Sequence, residues 1–147
     1  MMKPRYFVLP PERQSRALDV VGTKVAVLAS QETTHGYGVT LQWGEEGMGP
    51  PPHHHDWDEA FYVLEGEIEF VCDGETHVCA PGTLVHVPAG TSHGFHYRAG
   101  GGRMLEFTGQ GTRSAEMFAD VDRSMPPGPP DIPLLLAVLA RNGVMVG

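Results

Sequence analysis

The chain has 147 residues, 41% of them hydrophobic, and carries 18 acidic against 10 basic side chains for a formal net charge of −8. That length suffices for one domain with a real core, and the negative balance speaks against nucleic acid or an anionic membrane as partner, since both require a cationic face. Nineteen glycines and thirteen prolines imply many turns between short strands, and so predict an all-β fold.

No apolar run approaches the roughly 18 residues of a membrane-spanning helix. The opening MMKPRYFVLPPERQ has no apolar core of a secretory signal, so the expected location is cytoplasmic.

Taken in chain order, alternating or apolar runs at residues 6–9, 24–29, 37–43, 60–64, 67–72, 76–79, 84–87, 94–98 and 104–108 are predicted strands, separated by turn-forming residues. In Glu67-Ile68-Glu69-Phe70 the alternation places Ile68 and Phe70 inward and both glutamates in water. Asp73-Gly74 is a two-residue hairpin signal that pairs Cys72 with Glu75 and Ile68 with Cys79. The two thiols then lie on one face about four residues apart along the ladder, too far to bridge, so both cysteines are expected to be reduced and structural.

Beyond Gly109 the texture changes. Ser114 is a candidate cap for a short helix with Met117, Phe118 and Val121 as its apolar stripe. A stiff Pro-rich linker follows at residues 125–130. Asp131 as N-cap, Pro133 in the first turn, and Arg141 with Gly143 at the end mark a second helix. That helix is apolar nearly all round, so it must be covered on more than one side, as a clip on the barrel's outer surface, a lid near its mouth, or a subunit contact. The division expected is one domain over residues 1–147, with a barrel core at about 24–109 and a helical extension at 112–147.

The chemistry is concentrated between Gly47 and His93. His53 and His55 are two apart on an extended segment and project from one face, with His54 on the other. Glu59 opens the next strand after a short Asp-containing turn, and His93 follows the turn Pro88-Ala89-Gly90. Three imidazoles and a carboxylate, without thiolate, suit one divalent transition metal. Iron, manganese, cobalt, nickel or zinc are favoured over copper(I) or a cluster. Four protein ligands leave positions open for substrate or dioxygen. His35, His77, His86 and His96 are expected to be structural.

These residues resemble the cupin superfamily. Its first motif, G-x5-H-x-H-x3,4-E-x6-G, is met by Gly47, His53, His55, Glu59 and Gly66. Its second, G-x5-P-x-G-x2-H-x3-N, is met by Gly82, Pro88, Gly90 and His93, with Tyr97 in place of the final Asn. The resemblance implies a cupin jelly-roll β-barrel (double-stranded β-helix) with short C-terminal helices, a metal held by His53, His55, Glu59 and His93, and a homodimer. Gly66 and Gly82 are expected at tight turns with positive φ, and Gly90 in the bend before His93.

Strand parity sketches a substrate pocket from Tyr37, Trp43, Met48, Phe61, Val63, Val85, Phe95 and Tyr97, apolar and aromatic. No Lys or Arg falls inside either motif, which counts against a phosphosugar. The layout is also similar to the small quercetin-dioxygenase-like monocupins. That likeness implies a dioxygenase acting on an aromatic or enolic small molecule, with dioxygen as co-substrate and Glu59 as the catalytic base. An isomerase, cyclase or lyase using the metal as a Lewis acid, and a non-catalytic binding module, are the alternatives.

Overall fold

The computed structural model describes residues 4–147. Nine strands and three α-helices follow one another: β1 (Leu18–Val20), β2 (Thr23–Ala29), α1 (Gln31–Thr34), β3 (Gly38–Gly44), β4 (His53–His54), β5 (Glu59–Cys72), β6 (Glu75–Cys79), β7 (Leu84–Val87), β8 (His93–Thr108), α2 (Ser114–Ser124), α3 (Ile132–Arg141) and β9 (Met145–Val146). The strands form one curled antiparallel sheet, ordered β1-β2-β3-β8-β4-β9, with β5 pairing β6, β7 and β8. This is the expected all-β jelly-roll. The segment at residues 6–9 is not a strand; it runs as irregular chain with Tyr6 and Val8 exposed.

Two pairs of predicted strands are each one long strand. Residues 60–64 and 67–72 belong to β5, and 94–98 with 104–108 belong to β8. Gly66 was expected to end a strand in a tight turn. Instead it sits where the β5–β8 register shifts, between Gly66 and Ile68, with φ 72°. A glycine at a bulge bends a strand without ending it, and a Cβ here would meet the Gly101 carbonyl of β8. The corner therefore lets one strand serve both halves of the barrel.

The hairpin pairing is as expected: Cys72 lies opposite Glu75 and Ile68 opposite Cys79, and both thiols are free. Asp131 accepts the Leu134 amide at 3.1 Å as the N-cap of α3. Ser114 is instead the first residue of α2, and its own amide donates to the Thr112 hydroxyl at 3.1 Å.

The interior has two apolar regions. One joins Phe61, Val63, Ile68, Phe70, Cys79, Val87, Phe95, Tyr97 and Met104 inside the barrel. The other joins Val25 and Trp57 to Met117, Phe118, Val121, Val138 and Val144 of the C-terminal unit. Val25 lies opposite Gln42, which is itself buried, so Val25 points inward. The helices thus complete the core on the inner side of β2, rather than lying as a clip on the outer surface. Asp120 joins α2 to the end of α3, accepting from Arg141 Nε at 2.8 Å and from Asn142 at 2.8 Å. Those bonds, Arg141's foremost, hold its carboxyl far below the usual carboxylate range. No helix among the described residues is long and apolar enough to cross a membrane.

Candidate metal centre

The site lies where β4, β5 and β8 meet. β4 contributes His53, and His55 follows it in the turn. His53 is the cross-strand partner of His93, the first residue of β8. Glu59, the first residue of β5, faces Thr108 near the far end of β8. One donor nitrogen from each of His53, His55 and His93 falls within 4.8 Å of the others. His55, His93 and Glu59 are 6%, 1% and 5% exposed, so the cluster is closed to bulk water on most sides.

Hydrogen bonding fixes how these rings present themselves. Nδ1 of His53 lies 2.9 Å from the Pro51 carbonyl, Nδ1 of His55 lies 3.1 Å from that of Trp57, and Nδ1 of His93 lies 2.9 Å from that of Thr91. A carbonyl only accepts, so each Nδ1 carries the hydrogen and each neutral ring presents a bare Nε2. Yet Nε2 of His55 and Nε2 of His93 both stand 2.8 Å from one Glu59 oxygen. Two lone-pair atoms tolerate that approach only with a proton or a cation between them. The donor set therefore fits a divalent metal ion, and three imidazoles with a neighbouring carboxylate are hard-to-borderline ligands for one.

The local charges act differently on the individual groups. Burial, joined by the His93 charge, drives the His53 imidazole down to about 4, leaving its lone pair free near neutrality. Burial also works to lower His93, but the Glu59 hydrogen bond and charge outweigh it and raise that ring. For Glu59, burial pushes the carboxyl up, whereas hydrogen bonds with Glu106, His55 and His93 together hold it well below the usual range.

Glu106 is a second buried carboxyl that the motifs do not contain. It accepts the Thr40 hydroxyl at 2.9 Å, and Thr40 in turn accepts the Gln42 amide at 3.1 Å. Burial, then the Glu59 charge, pushes its carboxyl well above the usual range. The sequence signal for it is the alternation Met104-Leu105-Glu106-Phe107-Thr108, which sets Glu106 on the inward face with Met104 and Thr108. A second residue outside the motifs is Trp57, whose indole stacks on the His55 ring at 4.2 Å and 9°. A lone Trp in the charged turn Asp56-Trp57-Asp58 is its only sequence trace.

Of the pocket residues expected from parity, five line the barrel interior. Phe61 has its ring 6.3 Å from that of His93 and 5.7 Å from that of Phe95. Val63 and Tyr97 are fully buried with them, and Val85 packs against the same cluster. The Tyr97 hydroxyl has no hydrogen-bond partner among the described residues. Tyr37, Trp43 and Met48 do not belong. Tyr37 is 53% exposed, just before β3. Trp43 points outward with the Arg103 guanidinium over its ring at 5.8 Å. Met48 is 39% exposed and lies against Gly22. The phase of β3 is the opposite of that expected: Thr40 and Gln42 point inward because their polar groups meet Glu106, and Val39, Leu41 and Trp43 face outward, half-buried. His35 ends α1, and neither it nor His77, His86 or His96 joins the cluster.

Comparison with known proteins agrees with this geometry. The Cupin_2 family, a cupin domain, matches residues 39–106. Quercetin 2,3-dioxygenase of Bacillus subtilis (strain 168) is 35% identical over 71 residues, 47% of this chain and 21% of that protein. The chain thus spans about a fifth of the length of the curated relative it matches. KdgF from Halomonas sp. superposes with a TM-score of 0.66 at 20% identity, covering 72% of this chain and 94% of that one. An RmlC-like cupin from Shewanella frigidimarina NCIMB 400 gives 0.65 at 24% identity, covering 74% and 95%. Both are likenesses of fold. The polyketide cyclase RemF from Streptomyces resistomycificus gives 0.56 at 27% identity, covering 65% and 70%. Barrel, paired motifs and these likenesses agree: residues 39–106 match a cupin domain, with three imidazoles placed to hold a metal ion.

Proposed function

We propose that the chain is a metal-dependent dioxygenase acting on an aromatic or enolic small molecule. His53, His55, Glu59 and His93 are its ligands, the ion being iron, manganese, nickel or cobalt in preference to zinc. The observation that carries the reading is the bare Nε2 set beside Glu59, facing an aromatic wall of Phe61, Phe70 and Phe95. Such a wall suits a flat substrate, and the absence of Lys or Arg from the inward-facing site residues named above leaves nothing to grip a phosphate. The likeness to quercetin 2,3-dioxygenase supports the substrate class.

When bound, the metal supplies a Lewis acid for an enol or phenol oxygen and a redox partner for dioxygen. The chain's own residues do the rest. Each Nδ1–carbonyl bond holds an imidazole in the tautomer that ligates. Glu59 serves as the base for the substrate hydroxyl once it loosens from the metal, since a carboxylate free of the ion can take up a proton. Phe61, Val63, Val85, Phe95 and Tyr97 keep water from the reacting face. The protein acts as a homodimer of single-domain chains in the cytoplasm.

A second reading is favoured by the likeness to a polyketide cyclase: Lewis-acid chemistry without dioxygen. Elemental analysis with oxygen uptake against quercetin and other flavonols separates the two. About one redox-active metal per chain with oxygen consumption is the expected result; full turnover with zinc and no uptake selects the second reading. His53→Ala and His93→Ala should lower metal occupancy by about tenfold or more, whereas His35→Ala leaves it unchanged. Equal occupancy in all three sinks the ligand assignment.

A further inference from the structure

The C-terminal unit touches every segment that carries an imidazole of the site. Val146 and Met145 of β9 pair with His53 and His54 of β4, and the Gly147 amide donates to the Pro52 carbonyl at 2.9 Å. The Gly147 carbonyl lies 3.3 Å from the Ser92 hydroxyl, one residue ahead of His93, and 3.4 Å from His54 Nδ1. The third contact is Trp57. One face of its indole stacks on His55, and its backbone carbonyl takes the His55 Nδ1 hydrogen. Trp57 is buried in one apolar cluster with Val121, Val138 and Val144 of the C-terminal unit. β4 has only two residues, and β9 covers the side that β8 does not.

We propose that Trp57 is a positioning residue for the metal centre and that β9 is a clasp across its ligand segments, so that metal binding and docking of the C-terminal unit strengthen each other. This rests on the metal-binding reading above. A lone pair bonds well only when its ring is aimed at the ion. Stacking on Trp57 sets the plane of His55, and the carbonyl bond sets its tautomer. β9 sets the position of the strand that carries His53, and the Ser92 contact steadies the entry to His93. Such coupling is reciprocal: whatever factor docking adds to metal affinity, metal adds to docking. A role in packing alone lowers stability with or without metal and leaves no such linkage.

The test uses the full chain, Trp57→Leu, Trp57→Phe and a chain lacking residues 145–147, all stripped of metal. Cobalt(II) is titrated against a chromophoric chelator while its d–d absorption is recorded, and amide exchange is followed with and without zinc. Trp57→Leu and the shortened chain should each bind cobalt about tenfold or more weakly, with an altered d–d band. Trp57→Phe, which retains a flat aromatic face, should recover most of the loss. Zinc should slow exchange at residues 144–147 of the full chain. If the full chain binds no cobalt, the metal reading itself fails. If it binds and the shortened chain binds as tightly, the clasp is overturned. A Trp57→Phe chain as weak as Trp57→Leu overturns the positioning role, and exchange unchanged by zinc overturns the linkage. Should Trp57→Leu fail to fold, the shortened chain still decides, since Met145 and Val146 are 50% and 42% exposed and lie outside the core.

Discussion

Thr40, Gln42 and Glu106 are polar side chains at 2%, 2% and 3% exposure in a barrel whose largest buried groups are mostly apolar. Each is tolerated because it has a partner: amide to hydroxyl, hydroxyl to carboxyl, carboxyl to Glu59. A chain of this kind is costly to interrupt, since removing one member strands its neighbours. Thr40→Val keeps the shape but deletes the donor to Glu106 and the acceptor for Gln42. It should cost about 1–3 kcal/mol, read from the urea midpoint, whereas Thr40→Ser should cost less. The same chain explains why parity misplaced β3. Apolar residues at Val39, Leu41 and Trp43 normally mark the inward face, and here the inward face is chosen by where the hydrogen bonds close.

At the scale of elements, β5 and β8 carry the architecture. Their pairing extends from Glu59 opposite Thr108 to Cys72 opposite His93, through two register shifts. That length brings the start of β5 and both ends of β8 to bear on one site. Gly66 makes this possible, through a positive φ and the close approach of the Gly101 carbonyl. Gly66→Ala should destabilise the chain by at least about 1–3 kcal/mol from backbone strain alone, before the clash with β8 is counted. A thermal melt no different from wild type would show that the corner does not need its glycine. The C-terminal helices are the other instance. The cap of α3 and the apolar stripe of α2 are local properties and were legible: Asp131 does cap α3, and Met117, Phe118 and Val121 are buried. Which surface they cover is not local. It depends on Val25 and Trp57 leaving an apolar gap on the inner side of β2 that no strand fills.

For the molecule as a whole, protonation and metal compete for the same three nitrogens. Glu59 raises His93, so a proton holds there more firmly than on a free imidazole, and that proton occupies the lone pair a metal needs. Metal affinity should therefore begin to fall at a higher pH than a free imidazole would set, and go on falling as the pH is lowered through the histidine range. Equilibrium dialysis across that range checks it, and affinity unchanged at the acid end would rule out histidine as the principal donor.

The sequence by itself determined whatever repeats or spaces locally. The His-x-His on an extended segment, the turn before His93, the Asp-Gly hairpin register and the Asp131 cap each depend on a few neighbouring residues whose backbone preferences are strong. So the cupin barrel and three of its imidazoles were readable before any coordinates. Only the tertiary structure decided what depends on partners distant in the chain. Glu106 is paired with Glu59 across 47 positions, Trp57 joins His55 to residues 64 to 87 positions later, and β9 reaches back to His53. Alternation sets Glu106 inward and a lone Trp stands in the turn, but neither names its partner, because a buried carboxyl or an aromatic ring acquires its role from what the fold packs against it.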